Sequence, residues 1–174
     1  EFKNGSFTHP ESSKRKAAID LVLNAGEWAR SLDAKELVVW SAYDGYDYSF
    51  QGDYHLMWKH CVASFQIVCA TFQDLKISLE PKPTEPRRFF IHNTTGTASL
   101  LVRDIGRQNM GLTLDFGHCL MSTENPVQSA ALPGLPWKAT HFIHVVKTVV
   151  SRRFELFLYT LRRLLYRCSR LRMG

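Results

Sequence analysis

The 174-residue sequence predicts an α/β fold in which parallel strands alternate with helices. Three observations point there. Short β-rich runs recur at Glu36–Trp40, Leu75–Glu80 and Met110–Asp115. Segments with helical apolar spacing separate them and are long enough to cross over between parallel strands. Each run closes on polar or aromatic residues, and the carboxyl ends of parallel strands are where such sheets gather their functional groups.

The elements follow in order. After Pro10 and Ser12, which serve as start signals, Ala18, Ile19, Val22, Leu23 and Ala29 give an amphipathic helix over Ser12–Ser31. Glu36–Trp40 is the first strand, and it opens into a loop from Ser41 to Gly52 with Tyr43, Tyr46 and Tyr48 at its centre. Met57, Cys61, Phe65, Val68, Cys69 and Phe72 recur at three and four, so Asp53–Phe72 is a second helix. Leu75–Glu80 is the second strand. A Pro-rich loop over Pro81–Thr95 leads to a helix from about Thr97 to Arg107. Met110–Asp115 is the third strand, capped by Gly117, and Asn125–Leu132 starts another helix.

Composition narrows the function classes. At 45% hydrophobic residues the chain is globular in character. No secretory signal and no run of about 18 apolar residues is present, so a cytoplasmic protein is expected, with a membrane role unlikely. The cysteines Cys61, Cys69, Cys119 and Cys168 show no C-x-x-C spacing, which argues against a zinc knuckle or a disulfide framework. The net charge of +6 is uneven: residues 135–174 hold nine Lys/Arg and a single acid, Glu155. No zinc finger, Gly-rich phosphate loop or RNA-binding aromatic signature accompanies that charge, so no nucleic-acid partner is expected.

Glu80 closes one strand and Asp115 another, with Lys82 two residues after Glu80 and His118 three after Asp115. Residues two apart on extended chain share a face, which lets Glu80 and Lys82 point into one site. Carboxylates with an imidazole and open positions suit Mg²⁺, Mn²⁺ or Co²⁺. Taken singly these residues have ordinary roles too. Strand-end acids often cap the next helix, and a lone histidine is more often a packing residue than a ligand.

The run Leu79-Glu80-Pro81-Lys82-Pro83 resembles the Glu-Pro-Lys signature of xylose isomerase and its relatives. Leu114-Asp115-Phe116-Gly117-His118 is similar to their acid-x-x-His strand end, and Trp40 stands where these barrels place a substrate-pocket tryptophan. Tyr43-Asp44-Gly45-Tyr46 and Glu124-Asn125-Pro126 extend the likeness to the xylose isomerase-like sugar isomerases and epimerases, L-rhamnose isomerase being a nearby cousin. The resemblance implies an incomplete TIM (β/α)₈ barrel over residues 1–132, from about helix 3 to helix 6. A complete barrel takes roughly 250 residues. It also implies an aldose–ketose isomerase that shifts a hydride between C1 and C2 of a monosaccharide, with two divalent ions per complete site. Glu80 and Asp115 would serve one ion and His118 the other, Lys82 would be the catalytic residue that holds a substrate oxygen, and Trp40 would shield the hydride path from water.

The likeness fades after Leu132, and no aspartate follows Asp115. Residues 133–174 read as a divergent basic helical tail, with Val149, Val150, Phe154, Leu156, Phe157, Leu158, Leu161, Leu164 and Leu165 set among arginines. The simultaneous change of match and charge is consistent with a shifted reading frame or a mis-joined exon. His144 is too weakly matched to join the ligand set. The chain begins on Glu1 and not on methionine, which points to a fragment or a processed start of reduced or no activity. An open part-barrel would expose strand edges and favour homo-oligomers or aggregation. The alternative is a non-catalytic interaction module whose basic tail binds phosphates or lipid head groups.

Overall fold

The ladder that organises the chain is parallel, and it pairs β1 (Glu36–Val39) with β3 (Lys76–Leu79) and β3 with β5 (Met110–Leu112) in the order β1-β3-β5. The structure is a computed structural model that describes residues 2–131; expectations placed on residues 133–174, including the tail helix, the frame change, Cys168 and His144, lie outside the described residues. Leu37 is opposite Ile77, and Ile77 is opposite Met110. The three strand runs therefore form one sheet, as their alternation with helices predicts.

Helices fill the connections. α1 (Ser12–Ser31) has the bounds its periodicity predicts, α2 spans Tyr54–Thr71, and α3 spans Thr95–Ile105. α2 buries Met57, Cys61, Phe65, Val68 and Cys69 on one face. Of these, Cys61, Phe65, Val68 and Cys69 meet Ile77 and Leu79 of β3, Leu101 and Ile105 of α3, and Phe7 and Phe72 in a single core. Removing that much apolar surface from water is the main force holding the helices on the sheet.

Local signals set the helix ends. Asp53 caps α2 by accepting the Leu56 N–H at 2.9 Å. Thr94 accepts the Thr97 N–H at 3.1 Å while Thr97 Oγ1 accepts the Thr94 N–H at 3.0 Å, so α3 begins in a reciprocal capping box two residues before the apolar pattern shows it. Gly106 ends α3 at φ +64°, a conformation that a residue with a Cβ adopts only under strain.

Three expectations change. β5 stops at Leu112, although the Thr113 N–H still donates to the Leu79 carbonyl at 2.9 Å. Residues after it turn into the short helix α4 (Phe116–Met121), so Asp115 is the N-cap of a helix and Gly117 lies inside that helix instead of capping a strand. The two loops flanking the sheet also carry a small antiparallel pair, β2 (Gly45–Tyr46) with β4 (Phe89–Phe90). α5 runs over Pro126–Ala131.

Asp44, just before β2, is completely buried. Its carboxylate accepts the backbone N–H groups of Ser6 and Thr8 at 2.9 and 2.8 Å, and both of their hydroxyls. A buried carboxylate is tolerable only when its lone pairs are this well satisfied. It ties the segment before α1 to the loop after β1.

Candidate metal centre

Strand ends and α4 bring Glu80, Asp115 and His118 together. The Glu80 N–H donates to the Val39 carbonyl at 3.2 Å, which sets Glu80 at the carboxyl edge of the sheet beside Trp40. Asp115 Oδ1 caps α4 by accepting the His118 N–H at 3.1 Å, and this turn swings the imidazole back over the sheet. One ligand atom from each of Glu80, Asp115 and His118 lies within 4.8 Å of the others. His118 Nδ1 is 3.3 Å from Glu80 Oε1, and His118 Nε2 is 4.0 Å from Asp115 Oδ2.

The electrostatics suit a cation. Burial pushes the Glu80 carboxyl above its ordinary 4.5, the Asp115 charge adds to the rise, and the Lys82 ammonium opposes it. Burial pushes the His118 imidazole below 6.5 and Lys82 adds to that, while Asp115 and the Pro81 carbonyl pull the other way. His118 is thus neutral at pH 7, as a metal ligand must be. Its Nδ1 lies 3.2 Å from the Pro81 carbonyl, a contact that fixes the ring and leaves Nε2 free. Two carboxylates that repel each other beside a neutral imidazole fit a divalent ion.

Lys82 and Trp40 stand next to this cluster. Lys82 Nζ is 5.3 Å from the centre of the Trp40 ring and 3.6 Å from Glu85 Oε2. The Lys82 side chain is only 13% exposed, whereas Trp40 presents 44% of its surface to solvent. The structure therefore gathers all five residues singled out in the sequence at the carboxyl edge of the sheet. A cavity of about 380 Å³ lined by Tyr46, Tyr48, His60 and Arg87 is a different place, since none of the five lines it.

Sequence reasoning missed the buried hydrogen bond between Ser41, the residue after Trp40, and His92. His92 is far away in sequence within an irregular loop, and no spacing signal marks it.

Comparison with known proteins identifies the fold family. Over 135 residues the chain is 28% identical to the xylose isomerase of Thermus thermophilus, a match covering 75% of this chain and 35% of that enzyme. The chain thus spans about a third of the length of the curated relatives it matches. The crystal structure of 3-keto-D-glucoside 4-epimerase from E. coli superposes with a TM-score of 0.71 at 15% identity, covering 92% of this chain and 64% of that one. The IOLI protein, solved with a bound zinc atom, superposes with a TM-score of 0.58 at 20% identity, covering 71% of this chain and 42% of that one. At these identities the solved structures speak for the fold alone. The family model described as xylose isomerase-like TIM barrel matches residues 2–156, past Leu132, and the chain belongs to that family.

Proposed function

We propose that this chain carries the metal- and sugar-binding edge of a divalent-metal-dependent aldose–ketose isomerase. The observation that supports it most is the convergence of Glu80, Asp115 and His118 within 4.8 Å, with Lys82 and Trp40 beside them. Because all three ligand atoms are mutually close, Glu80, Asp115 and His118 would hold one ion together, and a second ion would need donors from outside the set. When bound, a divalent ion such as Mg²⁺, Mn²⁺ or Co²⁺ would supply Lewis-acid polarisation of the sugar's carbonyl and hydroxyl oxygens.

The chain's own residues do the rest. The Lys82 ammonium donates a hydrogen bond to the substrate oxygen that gains charge as a hydride moves from C2 to C1, while a proton passes between the two oxygens. The flat Trp40 face lies along the open-chain monosaccharide and keeps water from the hydride path. Asp115 has two jobs: Oδ1 holds α4 and so aims His118, and Oδ2, 4.0 Å from His118 Nε2, would be the oxygen that holds the ion. Homo-oligomeric assembly and a cytoplasmic location belong to the same reading.

The test is calorimetric titration with Mn²⁺ of the wild-type chain and of Glu80→Gln, followed by ketose formation from D-xylose and L-rhamnose. Glu80→Gln is expected to weaken Mn²⁺ binding by about 100-fold or more, since it removes a charged ligand. Equal affinity in both proteins would sink the reading. Epimerised sugar in place of a ketose would move it to the epimerases.

A further inference from the structure

Behind the proposed site lies a buried pair that its chemistry does not use. Ser41 follows Trp40 directly, and its hydroxyl meets His92 Nε2 at 2.7 Å across 51 residues of sequence. Ser41 is 7% exposed and His92 is fully buried. His92 Nδ1 is also buried, with no hydrogen-bond partner. A half-satisfied imidazole in a core is costly compared with an apolar side chain of similar size. The burial that pushes its pKa below 6.5 keeps the ring neutral. What the ring gives in return is contact on two sides.

One side is the Ser41 hydroxyl. The other is Phe90, whose ring centre is 5.9 Å from that of His92 at an interplanar angle of 68°, an edge-on packing. Phe90 is buried and its ring centre lies 6.5 Å from that of Trp40. Trp40 is half exposed, and Lys82 Nζ sits over its ring. His92 thus reaches Trp40 twice, through the backbone neighbour Ser41 and through the Phe90 ring.

We infer that His92 is a positioning residue: together with Ser41 and Phe90 it fixes the plane of Trp40 and, through that ring, the place of the Lys82 ammonium before substrate arrives. The consequence for catalysis rests on the proposed isomerase reading; the pinning of Trp40 does not. A pinned platform lowers the ordering cost of binding a flexible sugar. Ser41→Ala removes the hydrogen bond by deleting one oxygen atom. His92→Leu removes it while keeping the site filled, and His92→Gln restores a polar partner for Ser41.

The experiment uses the full chain and reads Trp40 alone, by subtracting the emission of matched Trp40→Phe proteins from that of each variant. In Ser41→Ala and His92→Leu the acrylamide quenching of Trp40 is expected to rise about twofold with a fall in its anisotropy, the mark of a ring released on the nanosecond timescale. His92→Gln is expected to return both toward wild type. Mn²⁺ affinity stays within about twofold of wild type in all three, since none of the changes touches a ligand. Affinity for the polyol xylitol in the presence of Mn²⁺ falls about fivefold in Ser41→Ala and His92→Leu. Unchanged Trp40 quenching and anisotropy in Ser41→Ala overturn the inference, and that variant decides the matter alone if His92→Leu does not fold. A wild-type chain that fails to bind Mn²⁺ removes the metal-centre reading, and the quenching data still decide the pin.

Discussion

Two aspartates, each a few residues beyond a strand of the parallel sheet, do different work. Asp115 is the residue whose structural and proposed roles coincide: Oδ1 caps α4, and Oδ2 lies 4.0 Å from His118 Nε2. Asp44, which the sequence reading used only as part of a family likeness, is instead the knot between Ser6, Thr8 and the loop after β1. Asp44→Ala leaves buried donors without a partner and is expected to cost about 3 kcal/mol or more of stability, measured by urea unfolding. Asp44→Asn keeps the size and one acceptor, so a smaller loss is expected. Equal midpoints for Asp44→Ala and wild type would show that Ser6 and Thr8 find other partners. The carboxylates, Lys82 and His118 were readable as candidates because they stand at or just beyond strand ends, and Trp40 through the family likeness. Asp44 and His92 were not, because their partners are 38 and 51 residues away in sequence.

At the scale of elements, α1 was legible to its last residue because twenty residues of 3.6-period pattern leave little ambiguity. β2 and β4 were not, since two residues hold no period and each pairs only because the other is delivered beside it. α4 escaped for a similar reason: six residues do not establish helical spacing, although Asp115 as an N-cap was a usable signal. Packing between elements carries its own prediction. A Cβ on Gly26 of α1 would lie 2.3 Å from the Phe72 ring. Helix propensity alone would make Gly26→Ala stabilising by about 1 kcal/mol. Overpacking against a fully buried ring reverses the sign, and a net loss of about 1–2 kcal/mol is expected in chemical denaturation. Adding Phe72→Leu should recover part of it, because the two positions share one space. A Gly26→Ala protein as stable as wild type would mean that α1 slides freely over Phe72.

For the whole molecule, buried titratable groups set a window of maximal stability. His92 and His60 both have folded-state pKa values below 6.5, chiefly from burial. Between those values and 6.5 the unfolded chain takes up protons that the folded chain refuses, so stability falls as pH drops below about 6.5. The thiols behave in the opposite sense. Burial pushes Cys61 and Cys119 above 9.0 and Cys69 up to about 11. Their contribution is fully present below 9.0 and is lost as the pH rises from there, where only the unfolded thiols ionise. Melting temperature is therefore expected to peak between about pH 6.5 and 9 and to fall on both sides. A flat profile from pH 5 to 10 would show that these groups are hydrated in the folded state. The described residues contain no helix long and apolar enough to cross a membrane.

The amino-acid sequence by itself determined the α/β alternation, the three strand runs, the span of α1 and the residue types of the proposed site. Each of these depends on short-range periodicity or on motifs a few residues long. Only the tertiary structure decided that β5 gives way to α4 after Leu112, and that Glu80, Asp115 and His118 share one point. It also decided that Ser41 and His92 brace Trp40 from behind. Those outcomes depend on register between strands and on side chains packed across long sequence separations. Hydrophobic burial selects them for the whole chain at once, so no local window contains them.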